Sequence, residues 1–421
     1  MAANQNIQVN LFGQEIGKIG LDEDGRRSSF QYHPSFLETN AFQNIFPKTG
    51  IIRRIAQVQL FSQFDNESFK GIPPQFADSL PDMFGSIIFK AWLDSKEQKH
   101  LSVLEQLAYV GNRGMGAIEY HPSVKLEEKA SIDLEEIIAV LSEVLDLKKT
   151  TAEKQLSSQA LINIFRIGTS AGGARPKILI SEEIATGKII PGDLEISDKY
   201  KHYLVKLAID EEIGYPREVV EYCYYKIIQK MDIRMMESKL IDEKHFATQR
   251  FDRQHGEKQH VLTASGITGW NYMDPTNSSY ENLFKLCSFL KIPHAQTEEL
   301  FRRMVFNVLY GNVDDHLKNH SFIYNNQDDS WQLSPAYDIT YALNPLTNIK
   351  KSQRAMSING KRSDVTAKDL YKIADDFTIK NPTGVIKRVQ SYKEELMTLF
   401  GSHKVPKLVA ERIGENIIDL V

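Results

Sequence analysis

The spacing of apolar and polar residues divides the chain into a strand-rich part and a later helix-rich part. Before about residue 265, short segments such as 7–13, 28–33, 176–181 and 202–209 have the apolar patterns of strands, in which successive side chains point to opposite faces. Beyond that point apolar residues recur every three or four positions, which is the repeat of an amphipathic helix. The pattern predicts an α+β fold with a β-rich lobe and a mainly helical lobe.

The same spacing locates individual helices. Predicted helices cover residues 84–94, 100–110, 133–147, 216–231, 280–290 and 297–310. Pro216 fits the first turn of the fourth of these, because the amide hydrogen that it lacks would have no helical partner there. Two strand-like segments, HSFIY and SWQLS, follow the last of these helices as a hairpin.

The chain has 421 residues. Because a single hydrophobic core stops growing at about 250–300 residues, we expect more than one core-bearing unit. The changes in pattern place the units at residues 1–125, 126–265 and 266–421.

Charge and apolar content exclude several functional classes. The 51 Lys and Arg residues are balanced by 55 Asp and Glu residues, for a net charge of −4. No global basic field attracts nucleic acid or anionic lipid, so any contact with DNA would be local or made through a partner. The N-terminus lacks the basic and apolar regions of a secretory signal, and no apolar run reaches the roughly 18 residues of a membrane helix. We therefore expect a cytoplasmic protein that does not contact a membrane.

Three further features have ordinary structural interpretations. The clustered glycines of residues 111–116 precede a strand-like segment, which predicts a tight turn, whereas a phosphate site needs glycines that open a helix. The basic run over residues 350–362 predicts a solvated loop, with an acidic peptide or a phosphorylated residue as the functional alternative. Cys223 and Cys287 lie in helix-like apolar patterns, which predicts buried thiols.

The most informative string is YGNVDDHLKNHSF, at residues 310–322. A kinase catalytic loop contains an acid that accepts the hydroxyl proton and, five residues later, an amide that holds magnesium. Asp314 and Asn319 have this separation, whereas Asp315 is only four residues from Asn319. The spacing favours Asp314 as the catalytic base and Asn319 as a magnesium ligand. The alternative is a solvated acidic loop.

A second carboxylate follows this string. Asp338 comes 19 residues after Asn319, with the two strand-like segments between them. In kinases a second magnesium ligand lies across a hairpin from the catalytic loop. Because magnesium binds oxygen atoms and keeps several waters, one amide, one carboxylate and phosphate oxygens suffice. The alternative for Asp338 is a carboxylate that caps a turn.

Basic side chains accompany these acids. Lys206 lies mid-strand among apolar neighbours, where an unpaired ammonium group would be costly. Glu221, on the following predicted helix, is the best candidate partner, in the manner of the lysine–glutamate pair of kinases. An edge-strand lysine that reaches water is the alternative. Within the catalytic string, we expect His316 to pack the loop onto the helical lobe and Lys318 to lie near the transferred phosphoryl group.

The segment FRIGTSAGGARPKILI, at residues 165–180, is small and glycine-rich between strand-like segments. Glycines let backbone amides approach phosphate oxygens closely, although a plain β-turn would look the same. In order, TSAGGARPK, VKL, QRFDR, GNVDDHLKN and PAYDI resemble the motifs of the HipA family of toxin–antitoxin serine/threonine kinases, over nearly the whole chain. The resemblance implies a two-lobed protein-kinase-like fold, with an N-terminal subdomain over 1–125, a kinase N-lobe over 126–265 and a helical C-lobe over 266–421.

The resemblance also implies a role for individual residues in ATP- and magnesium-dependent transfer to protein serine or threonine. Lys206, Asp314 and Asn319 resemble the catalytic set, and Asn319 and Asp338 the magnesium ligands. Ser170 resembles a serine whose autophosphorylation switches the kinase off. The main chain at Gln249 and Phe251 would hold adenine, with Asp252 near the ribose. The implied ATP-binding residues are Ser170, Gly172, Gly173, Ala174, Lys206, Gln249, Phe251, Asp252, Lys318 and Asp338.

The family resemblance finally implies partners. Aminoacyl-tRNA synthetases are substrates of family members, and a HipB-like helix-turn-helix antitoxin is the expected partner, through which DNA would be reached indirectly. Two other functions stay open: a phosphotransferase that acts on a small molecule, and a catalytically silent kinase fold that acts as a co-repressor. The intact set of Lys206, Asp314, Asn319 and Asp338 argues against the silent fold but does not exclude the small-molecule enzyme.

Overall fold

The structure is a computed structural model that describes residues 6–22, 26–80, 101–123, 175–192, 196–209, 213–347 and 353–420. The helices predicted over 84–94 and 133–147 lie outside these ranges, as do Ser170, Gly172, Gly173 and Ala174. Within the described part, two five-stranded sheets precede a helical region that carries a three-stranded sheet.

The first sheet is antiparallel, with the strand order β4-β3-β2-β1-β5. A tight turn joins β1 to β2, since Phe12 and Gly13 both have positive φ angles, 49° and 75°. Helix α3 begins at a capping box in which Ser102 and Glu105 bond each other's backbone amides. The elements are β1 (Asn6–Leu11), β2 (Gln14–Leu21), β3 (Ser28–Tyr32), α1 (Pro34–Glu38), β4 (Gln59–Phe61), α2 (Pro74–Ala77), α3 (Val103–Val110) and β5 (Ile118–His121).

The second sheet is also antiparallel, with the order β7-β6-β8-β10-β9. Its elements are β6 (Lys177–Glu183), β7 (Ile189–Pro191), β8 (Tyr200–Lys206), α4 (Arg217–Ile228), β9 (Ser238–Ile241) and β10 (His245–Gln249). Pro216 immediately precedes α4, which confirms the predicted start of this helix. The last residue of β8 lies opposite the first residue of β6, so Lys206 and Lys177 are cross-strand partners.

The rest of the chain is mainly helical, as the sequence predicts. A hairpin, β14–β15, leads from the catalytic string to Asp338, and β13 pairs with β14 to complete a three-stranded sheet. The elements are β11 (Arg253–Gln254), β12 (Glu257–Lys258), β13 (His260–Thr263), α5 (Ala264–Thr268), α6 (Tyr280–Phe289), α7 (His294–Leu309), β14 (Ser321–Asn325), β15 (Ser330–Leu333), α8 (Ala367–Asp376), α9 (Pro382–Gln390), α10 (Lys393–Ser402) and α11 (Lys407–Asn416).

The fold is therefore α+β and two-lobed, as the sequence predicts. None of the helices in the described ranges is long and apolar enough to cross a membrane. Cys223 and Cys287 are free, buried thiols, which confirms the prediction made for them.

An apolar cluster of buried residues joins the first sheet to the helical lobe and includes α4. Buried residues of the second sheet such as Ile178 and Val205 are not part of this cluster. Polar contacts reinforce this docking. The backbone amide of Asn44 donates to Asp329 Oδ1 at 2.9 Å, and Trp331 Nε1 donates to the Asn44 carbonyl at 2.8 Å. The loop between α1 and β4 thus contacts the hairpin that connects the catalytic string to Asp338.

Candidate active site

A buried ion pair lies at the end of β8. Lys206 Nζ lies 2.5 Å from Glu221 Oε1, and the Glu221 side chain in α4 is fully buried. The predicted Lys206–Glu221 contact is confirmed. The other carboxylate oxygen of Glu221 accepts a hydrogen bond from Arg175 Nη1 at 3.3 Å, so one carboxylate orients two cations.

The same ammonium group also donates to the carboxylate of Asp338, which links the β-rich lobe to the segment after β15. Burial would lower the pKa of Lys206, but the charges of Asp338 and Glu221 outweigh this effect and raise it. Burial would likewise raise the pKa of Asp338, but Lys206 and then Lys177 hold it well below its ordinary value. Both groups are therefore charged at neutral pH.

Asp338 has an unusual backbone conformation. Its φ angle is 53°, in the left-handed region. Residues other than glycine, asparagine and aspartate seldom adopt this conformation. Nearby contacts hold this segment, because the amide of Ala336 donates to the Arg234 carbonyl at 2.7 Å and the Tyr337 hydroxyl donates to the Lys318 carbonyl at 2.7 Å. Such conformations cluster at functional sites, where the surrounding structure offsets their cost.

The two neighbouring aspartates of the catalytic string have opposite environments. The Asp314 side chain is 72% exposed. The buried Asp315 carboxylate accepts hydrogen bonds from the Tyr280 hydroxyl at 2.8 Å and Arg354 Nη2 at 2.9 Å. Asp315 therefore anchors the loop, and Asp314 is the carboxylate that an incoming hydroxyl could reach.

The protein around Asp314 also tunes its acidity. Although this carboxylate reaches solvent, partial loss of hydration raises its pKa, an effect that His316 opposes and the negative charges of Asp338 and Asp315 reinforce. A raised pKa makes a carboxylate a stronger proton acceptor, which suits a general base.

The amide of Asn319 closes the loop. Its Nδ2 donates to the Asp314 carbonyl at 2.8 Å, and the residue ends a 3₁₀ turn, Leu317–Asn319. Because the amide nitrogen is used inside the loop, the amide oxygen is the atom suited to bind a metal. Asn319 and Asp338 line one small cavity.

The oxygen atoms of Asn319 and Asp338 fit magnesium, which prefers a few hard protein ligands completed by water and phosphate. Among the described residues, no cluster of three or more His, Cys, Asp or Glu side chains could hold a metal ion. Water and phosphate oxygens would be the other ligands of a magnesium ion held by these two residues.

Lys318 and His316 both contact one aromatic ring. Lys318 Nζ lies 5.0 Å from the centroid of Tyr272, and the His316 ring lies 5.1 Å from the same centroid. The packing role predicted for His316 thus has Tyr272 as its partner.

The segment at the end of β10 and just after it contains Gln249 and Phe251, whose main chain is predicted to hold adenine. The amide of Gln249 donates to the Glu237 carbonyl at 2.9 Å, which fixes the end of β10. Phe251 is buried, and its ring centroid lies 5.7 Å from that of Tyr337, the residue before Asp338. The predicted adenine segment is therefore in contact with the predicted metal-binding segment.

Comparison with known proteins identifies the family. The HipA N-terminal domain matches residues 7–121, and the HipA-like C-terminal domain matches residues 169–398. The chain belongs to the HipA family.

Individual relatives agree with this family. The chain is 24% identical over 351 residues to "Putative kinase Y4dM" of Sinorhizobium fredii, a match that covers 79% of this chain and 76% of the relative. It is 26% identical over 216 residues to a "Putative kinase" of Haemophilus influenzae, over 46% of this chain and 59% of the relative. These names place the HipA-like chain among proteins described as kinases.

The fold is that of a solved HipA structure. A chain of the Shewanella oneidensis MR-1 toxin–antitoxin complex of HipA, HipB and operator DNA superimposes with a TM-score of 0.64 at 14% identity. The match covers 98% of this chain and 96% of the other. At this identity the likeness shows a shared fold.

Asp252, which was predicted to lie near the ribose, is enclosed by protein groups. In this HipA-family chain its carboxylate is fully buried and accepts hydrogen bonds from Arg250 Nη2 and Arg253 Nη1, each at 2.8 Å, and from the Gly116 amide at 2.8 Å. The Gly114 carbonyl accepts from Arg253 Nη2 at 2.9 Å. These contacts hold Asp252 where residues 111–116 meet the segment after β10, and the ribose contact stays a prediction.

Burial would raise the pKa of Asp252, but Arg250 and Arg253 hold it far below its ordinary value. The glycine turn of residues 111–116 thus has a role that local pattern did not reveal. Its backbone donates a hydrogen bond to the buried Asp252 carboxylate and accepts one from Arg253.

Other residues of the site were also missed from the sequence. Arg175 and Lys177 supply charge beside Glu221 and Asp338, and Tyr337 ties the predicted catalytic loop to the predicted metal-binding segment. Arg354 belongs to the run 350–362, interpreted as a solvated loop or a contact for an acidic partner, yet it is buried against Asp315. A buried arginine in a basic run has no local signature, so only the tertiary structure identifies it.

Proposed function

We propose that the chain is an ATP- and magnesium-dependent serine/threonine protein kinase. The observation that carries the proposal is the position of Lys206, which bonds Glu221 in one lobe and Asp338 in the other. A buried lysine held by a helix glutamate, facing a carboxylate that can bind metal, is the phosphate-gripping arrangement of kinases. Membership of the HipA family and the names of the relatives support the same activity.

In the proposed reaction, Lys206 grips the phosphates of ATP, and Lys177 and Arg175 add positive charge beside it. Asp314 accepts the proton of a serine or threonine hydroxyl. That oxygen forms a bond to the γ-phosphorus, while the bond from this phosphorus to the β–γ bridging oxygen breaks and ADP leaves. Magnesium, held by Asn319 and Asp338, would neutralise phosphate charge. The residues act by positioning and charge neutralisation, without a covalent enzyme intermediate.

The biological setting that we propose is a toxin–antitoxin pair. The solved HipA relative is described in complex with HipB and operator DNA, and a HipB-like antitoxin is the partner that we propose here. DNA would then be contacted through the antitoxin. An aminoacyl-tRNA synthetase is the proposed protein substrate, and Ser170 the proposed site of autophosphorylation.

The test compares two lysines of the same strand. Lys206→Met removes the buried ammonium group, whereas Lys201→Met removes an exposed one that pairs with Glu237. Calorimetry with ATP and magnesium should show affinity reduced by at least about tenfold in Lys206→Met, since hydrogen bonds to charged groups contribute about 1.5–3 kcal/mol. Lys201→Met should bind ATP as the wild type does. Equal affinity in all three proteins would contradict the proposal.

A second measurement identifies the acceptor. The protein is incubated with ATP, magnesium and purified aminoacyl-tRNA synthetases, and mass spectrometry locates the phosphate. Phosphoserine or phosphothreonine on a synthetase supports the proposed substrate. Release of ADP with no phosphate on a synthetase or on the chain itself would contradict the protein kinase.

A further inference from the structure

The carboxylate of Asp78 joins the unit built on the first sheet (the first-sheet unit, β1 to β5) to the start of α5. The Thr263 amide donates to Asp78 Oδ2 at 2.8 Å, and the Thr263 hydroxyl, 2.9 Å from each carboxylate oxygen, also donates to this group. The oxygen of the same hydroxyl accepts from the Gly266 amide at 2.9 Å and so caps α5. Asp78 therefore holds the residue at which β13 ends and α5 begins.

The Asp78 carboxylate also packs tightly against the first turn of α5. A Cβ at Gly266 would lie 2.0 Å from Asp78 Oδ2 and 2.5 Å from Asp78 Cγ, whereas carbon atoms pack at about 3.5–4.0 Å. The φ angle of Gly266 is not positive, so the backbone itself does not require glycine. Glycine at this position thus makes room for the carboxylate.

Thr263 is paired with the end of the predicted catalytic loop. It lies opposite Ser321 in the β13–β14 ladder, and the Ala264 amide donates to the His320 carbonyl at 2.7 Å. Helix α5 packs against the 3₁₀ turn that ends at Asn319, a predicted magnesium ligand. The start of α5 and the end of the loop are therefore held together.

The second predicted ligand is tied to the same place. The Ser321 hydroxyl donates to the Tyr337 hydroxyl, which donates in turn to the Lys318 carbonyl at 2.7 Å. Tyr337 directly precedes Asp338. A continuous path, made of hydrogen bonds and one strand pair, thus runs from Asp78 to the two segments that carry the predicted magnesium ligands.

We propose that Asp78 is a positioning residue for the predicted magnesium site. By holding Thr263, it fixes the spacing between the segment that ends at Asn319 and the one that contains Asp338. The inference rests on the proposed kinase function, in which these two residues hold the metal. It gives the first-sheet unit a part in shaping the site, in addition to its packing role.

Two variants test this path from different sides. Asp78→Ala removes the carboxylate, and Gly266→Ala displaces it while Asp78 itself is unchanged. Hydrogen–deuterium exchange without nucleotide should be faster by about tenfold in both variants over residues 317–321 and 335–339, the effect of losing one hydrogen bond to a charged group. In a magnesium titration against a fluorescent ATP analogue, both variants should shift the midpoint to higher magnesium by a similar factor.

Thr263 provides a conservative comparison. Thr263→Val removes the hydroxyl that donates to Asp78 and should give the same two effects. Thr263→Ser keeps this hydroxyl and should restore the wild-type exchange and the wild-type magnesium midpoint.

Two controls separate this path from a general loosening of the protein. Asn44→Ala weakens another contact between the first-sheet unit and the helical lobe, since it removes the hydrogen bond from Asn44 Nδ2 to Asp329 Oδ2. Gly401→Ala places a methyl group in open space on α10 and so controls for a new side chain at a helix glycine. Both controls should match the wild type in exchange over the two segments and in the magnesium midpoint.

Unchanged exchange over both segments in Asp78→Ala and Gly266→Ala would overturn the inference, as would an equal increase in Asn44→Ala. Faster exchange with an unchanged magnesium midpoint would also contradict it, because Asp78 would then serve stability alone. If Asp78→Ala does not fold, Gly266→Ala and Thr263→Val decide. The exchange measurement needs no nucleotide, so a wild type that transfers no phosphate would contradict the proposed function and leave this test of positioning intact.

Discussion

Asp314 and Asp315 are adjacent in the sequence, yet the first side chain is exposed and the second is buried in hydrogen bonds from Tyr280 and Arg354. One carboxylate is thus accessible to a substrate, and the other holds the loop. The two positions make a matched pair for mutation, since each can lose its charge with no change in size.

Asp314→Asn should fold with wild-type stability and lower phosphoryl transfer by about 10²–10⁴-fold, the contribution of a positioned general base. Asp315→Asn should instead destabilise the protein by about 3–5 kcal/mol, because Arg354 is left as a buried, unpaired charge. Urea unfolding and the rate of ADP formation distinguish the two effects. Full activity in Asp314→Asn, with turnover abolished in a folded Asp315→Asn, would assign the base to Asp315.

Asp338→Ala should remove the magnesium dependence of nucleotide binding. Without this carboxylate the magnesium ion would lose a protein ligand, and the negative charge of the β- and γ-phosphates would be left uncompensated. A magnesium titration against a fluorescent ATP analogue measures the effect. The control is Asp328→Ala, an exposed aspartate in the turn between β14 and β15, which should titrate as the wild type does. An unchanged magnesium midpoint in Asp338→Ala would show that this residue is not a metal ligand.

The buried charge cluster around Asp252 predicts how stability depends on pH. The pKa of Asp252 is lowered in the folded chain, so its stabilising effect is present above the unfolded value of about 3.9 and is lost as the pH falls below it. Asp252→Asn should therefore be less stable than the wild type at pH 7 by about 3–5 kcal/mol, and this difference should shrink below about pH 4. Urea unfolding at pH 7, 5, 4 and 3 measures it. A difference that stays constant across this range would contradict a depressed pKa.

Ser170 is the residue at which we expect self-inhibition. A phosphate there adds about −1.5 to −2 charge at neutral pH, which would repel the ATP phosphates if the glycine-rich segment cradles them. After incubation with ATP and magnesium, peptide mass spectrometry should find phosphate within residues 165–177, at Ser170 and not at Thr169, and the modified protein should bind ATP more weakly. A phosphorylated form that binds ATP normally would refute the self-inhibition while leaving the kinase activity unaffected.

Helix positions were predictable from the sequence because a helix is specified by contacts within a few residues. The prediction over 216–231 matches α4, and that over 297–310 matches α7. Strand β2 was missed because Gly17 and Gly20 interrupt its apolar alternation. The structure explains Gly17, since a Cβ there would lie 2.3 Å from the Gln31 carbonyl oxygen on the paired strand.

The candidate active site was harder to predict from local sequence patterns. The Asp314–Asn319 spacing is local and could be read directly, but Lys206 and Asp338 are 132 residues apart. Their association followed only from the motif order shared with the HipA family. The Asp252 carboxylate accepts a hydrogen bond from Gly116, which is 136 residues away. No local sequence pattern predicts a partner at this distance along the chain. Buried hydrogen-bond networks that include backbone groups from distant parts of the chain therefore cannot be predicted from a single sequence.

The contact between Asn44 and Asp329 joins residues 285 positions apart. During synthesis, the strands of the first sheet leave the ribosome long before the β14–β15 hairpin exists. Their docking face must then stay uncovered while most of the chain is made, and closing so long a loop slows folding. The nascent chain is accordingly the form most exposed to aggregation and to capture by chaperones.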